Sequence, residues 1–259
     1  MLTPTQEVLV RSTVNDALNR AEYHWKNGGH KLAANRAIVE DALSKSFEDH
    51  EPSKIPGHEL VQDSETVIDE FIAFVADMRQ SSNHLMCALS EKKADVSGLQ
   101  RVYYETSALL PALGLAVKFE EGCVTEYLGD GLLALFKVDS SDKSEAIYAA
   151  HRAAKNSIND IRSIVNETLH ERYRLPGVDL GVGLSLSQTL VTLVGLPGEK
   201  HPKAFGECVF RATKLSGGIN EIISDENLKA AWPSKKGGTL AFKAKKVKGE
   251  NGYVLARSE

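Results

Sequence analysis

Two aspartates carry the most distinctive chemistry in this sequence. Asp77 ends the apolar run FIAFVAD, and Asp130 sits in the tripeptide GDG between EYL and LLALF. A carboxylate at the top of a buried strand needs a cation or several donors, because an unpartnered buried charge is costly. Each residue also has a plain structural account. Asp77, or Ser81 beyond it, can cap a helix beginning near residue 82. Asp130, with a glycine on each side, suits a tight turn on backbone grounds alone. If strand and hairpin are neighbours in one sheet, however, the carboxylates converge at one edge beside the backbone N–H groups of residues 78–82. Such an edge can hold two divalent cations and a triphosphate, with hard oxygen ligands for the metals and main-chain donors for the phosphates.

The elements that must position these groups follow from periodicity. Residues 67–77 read as a strand, residues 82–89 and 99–113 as helices, and residues 123–128 and 132–138 as short strands around GDG, a strong hairpin signal. Alanine and branched residues at helical spacing predict one long helix over residues 143–173. VDLGVGLSLSQTLVTLVGL predicts two strands, residues 205–215 a helix, and residues 240–255 a closing strand pair around GENG. This order is α+β, a mainly antiparallel sheet with helices on one face.

At 259 residues, 42% hydrophobic and 25% charged, the chain can bury a full core and carry an appendage. Residues 1–60 read as that appendage: two polar helices, over residues 5–27 and 30–47, then a Pro- and charge-rich linker. Val8, Val14, Leu18, Ala21 and Trp25 form the apolar stripe of the first helix, with Trp25 as a packing residue. Residues 61–259 form the main domain. A formal net charge of −4 argues against nucleic-acid or anionic-membrane partners. Lys243, Lys245, Lys246 and Lys248 read as a solvated strand face. Cys87, Cys123 and Cys208 are far apart without CxxC spacing, which fits reduced thiols, and the histidines have no metal-ligand spacing. With no leader-like or membrane-length apolar run, a cytoplasmic location is expected.

FVADMR resembles the metal-binding strand of class III nucleotide cyclases, EYLGDGLLALF their second metal hairpin, and FGECVFRATKL their late helix, which follows a GVGLSLSQTLVTLVG hairpin. The resemblance covers about residues 65–259, in the family's order. It implies a ferredoxin-like core, a homodimer with shared sites, and conversion of a nucleoside triphosphate into a 3′,5′-cyclic monophosphate and pyrophosphate. Asp77 and Asp130 would be ligands of two cations, Mn²⁺ or Mg²⁺, with the Met78 carbonyl as a third. Arg79 and the QSS turn would face the phosphates, unless Arg79 forms a surface ion pair.

The late helix departs from the family pattern. Where the family usually has an Asn and, four residues on, an Arg, this chain has Phe210 and Lys214. Lys214 can supply charge as a point cation rather than a fork, and Arg211 can substitute. The base-reading positions are Glu126, where adenylate-forming members usually carry Lys, and Lys203, where they usually carry Asp or Thr. Glutamate accepts from an N–H and lysine donates to a carbonyl. Adjacent ring N–H and carbonyl groups occur in uracil and guanine but not in adenine. The plain alternative is a pair of surface charges.

The ADMRQSS turn and altered late helix are similar to those of the pyrimidine cyclases of bacterial Pycsar antiphage systems. That resemblance implies synthesis of cyclic UMP, or else cyclic CMP, read by a separate cyclic-nucleotide-binding effector. Alternatives are a guanylate or adenylate cyclase in signalling, and a silent cyclase-like module that only dimerises or binds nucleotide.

Overall fold

The structure, a computed structural model, describes residues 1–29, 53–62, 66–86, 96–196, 199–233 and 238–257. The helix expected over residues 30–47 and Cys87 lie outside them. Strand β1 (Thr66–Met78) pairs antiparallel with β3 (Gly131–Lys137) on one side and β4 (Leu180–Leu196) on the other. β2 (Cys123–Leu128) joins β3 as a hairpin. The eight-stranded sheet runs β2-β3-β1-β4-β6-β8-β7, with β5 (Glu199–Gly206) also pairing β4; β6 is Glu221–Ser224, β7 Leu240–Val247 and β8 Glu250–Arg257. β4–β6 is parallel and the other pairings are antiparallel.

β1 reads as a continuous apolar run because both of its faces are covered. Ile72, Phe74 and Ala76 join the larger core with α3 (Gly98–Lys118), α4 (Ser144–Asn156) and α5 (Arg162–Tyr173). Phe71, Ala73 and Val75 point the other way, into a second core closed by Ile55 and by Cys208 and Ala212 of α6 (Glu207–Leu215). Helices therefore flank both faces rather than one. Gly183 on β4 permits this approach, because a Cβ there would collide with the Ala212 carbonyl.

GVGLSLSQTLVTLVG lies within one strand of 17 residues, not two. In its polar centre, Ser185 is buried and donates to Asp225 at 2.6 Å. The expected partner strand is β5. The long helix is interrupted by a π-helical turn, Ser157–Ile161, where the Ser157 hydroxyl donates to the Ala153 carbonyl. β6 and the short helix α7 (Glu226–Ala231) were not anticipated.

Helix α1 (Pro4–His24) begins with a reciprocal Thr3–Gln6 cap and buries Val10, Val14, Leu18 and Ala21 in the larger core; Val8 is exposed. Glu22 accepts from Tyr173 at 2.6 Å and from Arg172 at 2.7 Å, and Trp25 packs against Tyr103. Lys243, Lys245 and Lys246 are exposed on strand β7, and Cys208 is a buried free thiol.

Candidate functional site

The β1–β3 register builds the carboxylate pair. Asp77 lies opposite Gly131, and the Met78 N–H donates to the Asp130 carbonyl at 3.0 Å. A side chain at Gly131 would strike the Ala76 carbonyl, so glycine is what lets the hairpin tip close on the end of β1. The Met78 side chain is buried, leaving its backbone to serve the site. The chain then turns at Gln80, whose φ of 60° is left-handed, into the short helix α2 (Ser81–Met86).

Side chains tie the cluster together. The Arg79 guanidinium pairs with Asp77 Oδ2, and its Nε donates to the Asp77 carbonyl at 3.3 Å. The Ser81 hydroxyl donates to Asp130 Oδ2. Burial pushes the Arg79 guanidinium below its ordinary value, while the nearby Asp130 charge opposes that fall. The carboxylates thus already draw a cation between strand and hairpin. An all-oxygen donor set that attracts positive charge fits hard divalent ions. Asp77 and Asp130 are the carboxylates that would hold them. No cluster of three or more His, Cys, Asp or Glu side chains suited to a metal occurs among the described residues.

A second group assembles from distant strands. A β-bulge between Val124 and Glu126 shifts the β2 register and re-aims the side chains that follow. Glu126 meets Lys203 of β5, with Nζ to Oε1 at 2.7 Å. Sequence reasoning paired these residues by role, and the structure brings them into contact, each more than a third exposed.

The third group is one solvent-facing stripe of α6. Lys214 Nζ lies 4.3 Å from the Phe210 ring centroid and 3.5 Å from Glu250 Oε1. Arg211 pairs with Glu207 at 2.7 Å. Phe210 and Lys214 stand at i and i+4, so the aromatic ring supports the ammonium.

Sequence reasoning missed Glu250 and the buried pair Arg101 and Glu105 of α3. A signal existed for the pair: both charges fall on the i, i+4 series that continues through Leu109, Leu113 and Val117, within the buried stripe of α3.

No family model matches the chain. Among solved structures, the adenylyl cyclase CyaB from P. aeruginosa superposes with a TM-score of 0.59 at 14% identity, covering 75% of this chain and 97% of that one. The guanylyl cyclase Cya2 gives 0.56 at 13%, over 74% and 94%. A class III adenylyl cyclase-like ATP-binding protein from Pseudomonas aeruginosa gives 0.58 at 17%, over 76% and 43%. The chain therefore has the class III nucleotide cyclase fold. In sequence, an adenylate cyclase of Anabaena cylindrica is 26% identical over 150 residues, 55% of this chain and 29% of that protein. A terminal-differentiation-specific adenylate cyclase of Dictyostelium discoideum is 29% identical over 93 residues, 36% of this chain and 4% of that protein. The matched regions thus span less than a third of these relatives. Among the described residues no helix is long and apolar enough to cross a membrane.

Proposed function

We propose that this chain is a nucleotide cyclase that prefers a pyrimidine triphosphate, UTP over CTP. The observation that carries the cyclase reading is the convergence of Asp77 and Asp130 at the β1–β3 edge of a class III cyclase fold. The ribose 3′-oxygen attacks the α-phosphorus and forms the ring bond. The bond to the bridging oxygen breaks, pyrophosphate leaves, and the hydroxyl proton passes to solvent. Two divalent cations held by Asp77 and Asp130 would lower the cost of deprotonating that hydroxyl and neutralise the pyrophosphate. Arg79 would exchange Asp77 for a phosphate oxygen, and the turn at residues 80–82 would offer backbone donors.

The working unit in this proposal is a homodimer with two equivalent sites, the carboxylates of one copy facing Glu126, Lys203 and Lys214 of the other. Val194, Leu196, Phe205 and Phe210 are exposed apolar residues on β4, β5 and α6, which supports such an interface. Lys214 would meet charge developing on the α-phosphate. Glu126 would accept from uracil N3–H while Lys203 donates to O4, and Phe210 would fill the room a purine needs. The product would be read by a separate cyclic-nucleotide-binding effector, as the resemblance to defence cyclases implies. The sequence matches to adenylate cyclases favour a second reading, ATP as substrate. Incubation with ATP, GTP, CTP and UTP separately, each with Mn²⁺, and mass identification of products tests the proposal. Cyclic UMP is expected, and absence of any cyclic nucleotide would overturn it.

A further inference from the structure

A hydrogen-bonded triad, the buried Arg101 and Glu105 with the partly buried His84, has no role in the proposed cyclisation. Glu105 of α3 is fully buried and accepts from Arg101 Nε at 2.7 Å and, on its other oxygen, from His84 Nδ1 at 2.9 Å. Arg101 is 4% exposed. With a carboxylate as partner, Nδ1 is the donor nitrogen of His84. Burying such a group costs desolvation that an apolar replacement would avoid.

What the triad grips is α2, a six-residue helix. Helices this short do not hold their conformation alone in water. Ser81 and His84 stand three residues apart on one face of it. Ser81 donates to Asp130, and His84 reaches back to Glu105. The helix is thus tethered to the carboxylate cluster at one end and to the triad at the other. It is also the element entered directly from Arg79 and Gln80.

We propose that the Arg101–Glu105–His84 triad positions α2, and through Ser81 sets the orientation of Asp130 and the 79–82 turn. His84 and Glu105 are then positioning residues for the nucleotide site, an inference that rests on the cyclase reading for its catalytic consequence. Groups that orient metal-binding side chains typically govern about 10- to 100-fold in metal affinity or activity.

Truncating Glu105 would strand Arg101 in the core, so the test substitutes His84. His84→Leu removes the donor, whereas His84→Asn keeps an N–H near the Nδ1 position. Four quantities are measured on the full chain: kcat, KM for the triphosphate, Mn²⁺ affinity by electron paramagnetic resonance, and amide hydrogen exchange over residues 79–84. The Leu variant is expected to lose about tenfold or more in kcat or Mn²⁺ affinity, with faster exchange in that segment and an unfolding midpoint near wild type. The Asn variant should recover most of the loss. Faster exchange with unchanged kcat, KM and Mn²⁺ affinity would overturn the proposal, as would equal losses in both variants. If the wild-type chain cyclises no triphosphate, the cyclase reading fails, while Mn²⁺ affinity and exchange still decide whether the triad orders this site.

Discussion

Glu126 and Lys203 lie 77 positions apart on strands that are not neighbours in the sheet, and their side chains meet at 2.7 Å. An exposed ion pair of this kind contributes little stability, about 0–1 kcal/mol. Its interest is chemical: one acceptor and one donor stand side by side, complementary to an adjacent ring N–H and carbonyl.

The base reading predicts the outcome of a charge exchange. Glu126→Lys combined with Lys203→Asp restores the arrangement that adenylate-forming members usually carry, and should move the kcat/KM ratio of ATP to UTP upward by about tenfold or more, since mispaired polar groups in a binding site are strongly discriminated. Steady-state kinetics with each triphosphate checks it. An unchanged ratio would show that the pair does not read the base.

Asp77→Ala and Asp130→Ala are each expected to abolish cyclisation while the fold persists, because in the proposed mechanism each would remove a ligand from one metal pair. Activity within about tenfold of wild type, with far-UV circular dichroism unchanged, would remove the assignment; losing a transition-state contact of this kind costs several kcal/mol.

The hairpin and the carboxylate pair were legible because local signals determine them: the GDG turn lies between apolar runs, and β1 alone among the early segments is apolar on both faces. What stayed hidden depends on long-range burial. Ser185, Ser187 and Gln188 are polar residues inside β4, and their sites are fixed by Asp225, by the Cys208 N–H and by pairing with β1. β6 is only four residues long, too short for periodicity to register. The contact between Glu126 and Lys203 needed a bulge at Thr125 and the course of β5, neither of which composition encodes.

Shared sites predict complementation. Asp77→Ala and Lys214→Ala proteins, each inactive alone, should recover part of the wild-type rate when mixed, since a heterodimer rebuilds one intact site. Mass spectrometry of the mixture verifies that subunits exchange. Exchange without recovered activity would contradict an active site built across the dimer.

His151 carries a separate pH prediction. Burial, then Lys155 and Arg152, lowers its pKa from 6.5 to about 4, with the ring edge-on to Trp232 at 5.3 Å. The unfolded chain therefore binds the proton more readily, so this residue subtracts stability as pH falls from about 6.5 to about 4, by up to about 3 kcal/mol. Above that window it contributes no pH dependence. Denaturant midpoints across the range should fall for wild type more steeply than for His151→Phe. Parallel curves would show that the ring is protonated in the folded state.

Competition among ATP, GTP, CTP and UTP at equal concentration, with Mn²⁺ and product identification by mass, tests the central claim most directly. Cyclic UMP as the main product, with cyclic CMP second and purine products at least about tenfold lower, is the predicted result: adenine mismatches the Glu126–Lys203 pair and leaves a charged group unpaired, while guanine, which shares the uracil-like edge, would be kept out by Phe210 filling the room a purine needs. Cyclic GMP or cyclic AMP as the main product would contradict the pyrimidine assignment, and no cyclic product at all would contradict cyclase activity itself.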